Sequence, residues 1–241
     1  MTTPLLEVCV ADAGSLEAAI AGGAQRIELC SSLELGGLTP LPGLMTLAAK
    51  APTPVYALVR PRTGDFVYAG ADIDALLADI DAIRVAGLAG VVLGASNTDG
   101  TLDIALLRRL LEASNGLGST LHRAIDLVPD FARATETAID LGFERILSSG
   151  GAHTAIEGIA GLRTIHATAR GRIKLMAGSG MNPGNLAQLL DAVPADELHS
   201  SCASSIPTTG PDAIRLGFAD ATRRQTDAAI VAAMRRVLGD R

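Results

Sequence analysis

The chain has 241 residues, 48% of them hydrophobic and 19% charged, with 20 Lys plus Arg against 26 Asp plus Glu for a formal net charge of -6. That size suits one large core, close to the roughly 250 residues of a (β/α)8 barrel, and the acidic balance offers no basic field to hold nucleic acid. Three cysteines cannot close a disulfide framework in so long a chain and fit a reducing, cytoplasmic compartment, while no stretch nears the ~20 uninterrupted apolar residues a bilayer demands.

The first apolar run, from about Leu5, stops at Asp12 with no basic segment before it, so it reads as a first strand rather than a secretory leader. Further aliphatic or β-branched runs begin near residues 26, 55, 90, 119, 145, 173 and 197. Segments rich in alanine, leucine and charge separate them, and this unbroken alternation predicts parallel pairing. In AGGAQRIEL, VAGLAGVVL and DLGFERILS a glycine closes the helix just before the strand, where a left-handed cap is favoured. An open Rossmann-type sheet is the rival, but strand one leads into ADAGSLEAA, without a glycine fingerprint. The expectation is an α/β fold, a single (β/α)8 TIM-type barrel over residues 1–241. The stretch from Ile206 to about Gln225 reads as an irregular final loop, and DAAIVAAMRRVL as the closing helix.

In such a barrel the carboxyl ends of the strands converge on one mouth, so polar residues there are site candidates. Strand one carries Glu7 and Cys9, and strand two repeats the spacing with Glu28 and Cys30, on matching faces if the period is two. Strand three ends with Arg60 and Arg62, strand five with His122 and Arg123, and strand eight with His199, Ser201 and Cys202. Glu7 or Glu28 is a candidate base, Arg60 and Arg123 candidate holders of a carboxylate or oxyanion, and His122 or His199 a candidate proton carrier. Because an unpaired buried carboxylate is costly, Arg60 or Arg123 is expected to pair with Glu7 or Glu28. The competing reading is a structural ion network, and for the cysteines the role of small buried hydrophobes. Both lysines, Lys50 and Lys174, fall away from the mouth, which disfavours Schiff-base chemistry.

Glycines and small hydroxyls follow strands six to eight in SSGGAHT, AGSGMNPGN and HSSCASS. Gly150, Gly178, Gly180, Asn182, Ser201 and Ser204 are therefore candidates for an anion cradle, since loops of this kind bind phosphate in many barrels. Tight turning alone is the alternative use of such glycines.

The stretches RIELCSSLELGGLTP, RPRTGDFVY, GVVLGASNTDGTLD, LHRAID, RILSSGG and ELHSS, in this order and spacing, closely resemble the CutC family from about Leu6 to TDAAIVAAM near the end. The resemblance implies a cytoplasmic TIM-type barrel, a homodimer or higher homo-oligomer, and a role in copper homeostasis with Cu(I) as the bound ion. AGSGMN departs from the family's run of three glycines, with Ser179 in place of one of them. Cu(I) seeks soft donors, and Cys9 with Cys30, on strands ~4.8 Å apart, is the best pair available if their register agrees. The alternative is an enzyme acting on a small phosphorylated or carboxylated metabolite by proton transfer or hydrolysis, and a third reading is a scaffold whose polar interior is structural.

Overall fold

The structure, a computed structural model, describes residues 3–239. Eight parallel strands close into a barrel in chain order: β1 (Leu5–Val10), β2 (Arg26–Leu29), β3 (Val55–Leu58), β4 (Gly90–Leu93), β5 (Gly118–Leu121), β6 (Arg145–Ser148), β7 (Lys174–Ala177) and β8 (Glu197–Ser200), with β8 pairing back onto β1. Between them run α1 (Ala13–Ala21), α2 (Pro42–Ala48), α3 (Ala71–Val85), α4 (Ile104–Ala113), α5 (Phe131–Leu141), α6 (Ile159–Ala169) and α7 (Leu186–Ala192). Three of these helices, α1, α4 and α5, begin at a side-chain cap: Asp12, Asp103 and Asp130 each accept a hydrogen bond from a backbone N–H of the first turn, worth about 1 kcal/mol apiece. Gly23, Gly87 and Gly142, the glycines that precede β2, β4 and β6, all have positive φ.

Successive strand residues face opposite ways, and the two faces are filled differently. Outward residues such as Leu6, Val8, Ile27, Val91 and Leu198 join helix residues such as Leu16, Leu76 and Leu107 in one continuous apolar layer. The inward face holds a small apolar cluster of Cys30, Tyr56, Leu58 and Val92; much of the rest is polar. Room for Tyr56 comes from glycine: a Cβ on Gly90 would lie 2.5 Å from the Tyr56 ring, and one on Gly118 only 2.0 Å from its hydroxyl.

Residues 206–225 are not the irregular loop expected. They lie largely in an antiparallel hairpin, β9 (Ala203–Pro207) and β10 (Thr222–Thr226), that carries the short α8 (Pro211–Arg215) at its far end. Its strands are exposed or partly buried apart from Thr226 and rich in Ser, Thr and Arg, so they lack the buried face whose alternation reveals a strand. The closing helix, α9 (Ala228–Gly239), follows directly. Among the described residues, no helix is long and apolar enough to cross a membrane.

Candidate functional site

The lower part of the barrel interior is an ion network. Arg26 hydrogen-bonds to Glu7 and to Glu197, and Arg145 reaches Glu197 at 3.2 Å and the Thr120 hydroxyl at 3.2 Å. The two guanidinium carbons sit over the Tyr56 ring at 5.4 and 4.9 Å. This corrects the expectation that Arg60 or Arg123 answers Glu7 or Glu28: Arg26 answers Glu7, Glu28 faces His199, and Arg145 serves Glu197. Arg26 faces Glu7 because the register pairs them across β1 and β2. Burial works to raise the Glu7 pKa, but Arg26 and His199 together hold it down at about 2.

Just above lies a tighter cluster. The same register sets Cys9 beside Glu28, and β8 sets His199 beside Glu7. His199 Nδ1 lies 2.8 Å from Glu7 Oε1 and its Nε2 lies 3.6 Å from Glu28 Oε2. An ionised Glu7 can only accept, so Nδ1 carries a proton and Nε2 faces the remaining groups. Burial disfavours a charged His199 ring, yet Cys9, Glu28 and Glu7 outweigh it and raise its pKa well above the usual value. Burial pushes the Glu28 pKa up, against the pull of His199. One donor atom each from Cys9, Glu28 and His199 lies within 4.8 Å of the others. Cys30 stands apart from this group. Its register neighbour is not Cys9, its thiol donates to Glu28 Oε2 at 3.5 Å, and burial followed by Glu28 pushes its pKa well above normal. The direct opposition on which a Cys9–Cys30 pair depended is therefore absent.

The cluster opens into a cavity of about 500 Å³ at the carboxyl ends of the strands. Of the candidate residues, Cys9, Glu28, Cys30, Arg60, His122, Arg123, Gly180, Asn182, His199 and Ser201 line it. Glu7 is sealed beneath, and Gly150, Gly178 and Ser204 are not in the lining. His122 and Arg123, although consecutive, both reach the cavity because β5 gives way to a 3₁₀ turn over Arg123–Leu127.

Arg60 is held by the loops around it. Gly36 and Gly37, at φ of 85° and 84°, turn the chain so that the carbonyls of Leu35 and Gly37 accept from Arg60 Nη1 at 3.1 and 2.9 Å. Gly64 O accepts from Nη2 at 2.8 Å, and the guanidinium stacks over Phe66. The GGLTP and RPRTGDF stretches thus build one cage. Phe66 also lies 4.6 Å from the His122 ring, whose Nδ1 accepts from the Ala124 N–H. Burial, with Arg60 nearby, lowers the His122 pKa to about 3.

The expected cradle after β6 is already occupied from within. The N–H groups of Ser149 and Gly151 donate to the Asp126 carboxylate, and Gly150 N donates to the Ser148 hydroxyl. Asp126 also takes Arg123 Nε at 2.7 Å. A glycine-rich loop and a carboxylate from the preceding turn therefore satisfy each other. Gly178 N is a rung of the barrel ladder, bonded to Ser148 O, and its missing side chain makes way for Leu147 and His199. Asn182 spends its side chain on Gly180 O and Gly184 N. Asp126, Arg26 and Arg145 carry no signal of their own in the sequence. The HRAID and SSGG stretches do flag Asp126 once they are known to touch.

A model of the CutC family matches residues 4–204. A CutC family protein of Sinorhizobium medicae is 56% identical over 238 residues, covering 99% of this chain and 97% of its own. One from Caulobacter vibrioides is 50% identical over 230 residues, covering 95% and 94%. The crystal structure of a Streptococcus agalactiae CutC with a proposed copper homeostasis role superposes with a TM-score of 0.78 at 28% identity, covering 82% of this chain and 98% of that one.

Proposed function

The chain belongs to the CutC family, and from that premise we propose that it serves copper homeostasis by taking up Cu(I) at the floor of its mouth, on the Cys9 sulfur and His199 Nε2. The observation that carries this reading is the convergence of Cys9, Glu28 and His199 donor atoms within 4.8 Å of one another. Cu(I) is soft: it prefers a thiolate and next an imidazole. Cys9 and His199 offer one of each, while the hard Glu28 carboxylate contributes charge more than a bond. Glu7 supports the site from behind, because a carboxylate on one ring nitrogen orients the other and raises its basicity. His199 must release its proton to bind a metal, so uptake weakens as pH falls.

Competition titration of the reduced protein against a Cu(I) chelator tests this. Cys9→Ser is expected to lose more affinity than the roughly 10- to 100-fold that outer-shell changes cost, and Cys30→Ser to stay near wild type. Equal affinity in Cys9→Ser and wild type would sink the proposal, as would a larger loss in Cys30→Ser. Three free, buried thiols support a cytoplasmic setting. Leu216 and Phe218, 57% and 83% exposed beyond α8, support self-association through the hairpin arm. Light scattering on Phe218→Asp should then report a smaller assembly than wild type.

A further inference from the structure

Two residues that line the upper cavity, His122 and Arg60, each keep a buried side-chain donor without an acceptor. His122 is 4% exposed and its Nε2 is a buried atom without a hydrogen-bond partner. Since Nδ1 accepts from Ala124 N–H, the single proton of the neutral ring resides on Nε2. The ring is pinned, between Phe66 on one side and Gly94 on another, where a Cβ would come within 2.5 Å. Arg60 is 6% exposed, and its Nε–H is likewise unpartnered. Its other contacts are carbonyl oxygens and the Phe66 face. Among the described residues, no carboxylate lies within ion-pair distance of it. A buried cation left without a counter-charge is expensive, and orphaned buried donors add to that cost.

We propose that Arg60 and His122 form a subsite for the carboxylate group of a small organic acid, distinct from the donor set at Cys9. One full positive charge and one neutral N–H match a monoanion with two acceptor oxygens. A phosphate dianion fits worse. Arg123 is already paired with Asp126, the N–H groups after β6 are taken, and Glu28 adds negative charge at the floor. Leu58, Leu147 and Met181 line the same cavity and give the organic remainder an apolar bed, and about 500 Å³ is within the range of small-molecule sites. His122 stays neutral down to a pKa of about 3, so it serves as a fixed donor across the physiological range.

The test is calorimetric titration of the reduced, metal-free protein with acetate, lactate, malonate and inorganic phosphate, against chloride at matched ionic strength. At least one carboxylate should bind and compete with the others. His122→Phe should weaken it at least about tenfold, the loss expected for one hydrogen bond to a charged group, and Cys9→Ser should leave it unchanged. That last arm separates this subsite from the copper site. In case His122→Phe fails to fold, long-range ¹H–¹⁵N spectra of the wild type report the same contact: the His122 Nε2–H signal should move on adding the bound carboxylate. Binding by phosphate alone, by none of the anions, with equal affinity in His122→Phe, or without movement of that signal would overturn the proposal.

Discussion

The floor and the upper wall of this barrel each bury arginine against an aromatic ring, yet they differ in how the arginine is partnered. On the floor, Arg26, Arg145, Glu7 and Glu197 satisfy one another, with Tyr56 between the two guanidiniums. On the wall, Arg60 and His122 each keep an unused donor. Buried charge therefore does not by itself mark a site; buried charge whose hydrogen-bonding capacity is unfilled does. Glu7 links this ion network to the Cys9, Glu28 and His199 cluster just above it, with one oxygen on Arg26 and the other on His199.

The hardest test of this contrast is Arg26→Met. Removing the guanidinium leaves Glu7 and Glu197 buried without their shared partner, a loss of about 3–5 kcal/mol that urea unfolding would read. Arg60→Met removes a cation with no anionic partner and forfeits hydrogen bonds to carbonyls and the stacking on Phe66, so its cost should be clearly smaller, about 1–3 kcal/mol. Equal losses in the two variants would erase the distinction between floor and wall.

A second, smaller effect concerns how the floor is packed. Gly118→Ala drives a Cβ to 2.0 Å from the Tyr56 hydroxyl, and overpacking of this kind costs about 1–3 kcal/mol. The same change made in a Tyr56→Leu background should cost markedly less, because the clashing ring is gone. A double-mutant cycle with no coupling between the two positions would show that the glycine is not there to admit the ring.

Much of this architecture is legible in the sequence. Strands buried on both faces read as aliphatic runs, and glycines at positive φ mark several helix ends. The mouth is legible too, since strand-end residues such as His122 and His199 must converge once the ring closes. The floor is not. Arg145 of β6 and Lys174 of β7 are register neighbours at the starts of their strands, yet Arg145 is buried against Glu197 while Lys174 is exposed on Asp196. Nothing local in RILS or KLMA separates those outcomes; the presence of Glu197 across the barrel does. Likewise the SSGG loop has the composition of an anion cradle, and only the fold brings Asp126 in to fill it. The hairpin over 203–226 escaped because its polar strands bury no face.

The finest discrimination between floor and wall comes from pH. Both Glu7 and His122 have lowered pKa values, to about 2 and about 3, so both make the folded state bind fewer protons than the unfolded one on acidification. Their windows differ. Glu7 stabilises fully above its unfolded value near 4.5, and that contribution is lost as pH falls toward about 2. His122 takes up a proton in the unfolded chain from about 6.5 downward but stays neutral in the native state, so stability already falls between pH 7 and 5.5. Over that interval the loss due to His122 is about 1 kcal/mol. Glu28, whose pKa is raised, pulls in the opposite sense above 4.5, so the quantity to measure is the difference between the wild-type and His122→Phe stability curves. That difference should narrow by about 1 kcal/mol from pH 7 to 5.5, whereas the contribution of Glu7's own titration changes only below about pH 4.5. Parallel curves for wild type and His122→Phe would mean that the wall histidine is not held neutral, and the wall would then no longer differ from the floor in the way its unfilled donors imply.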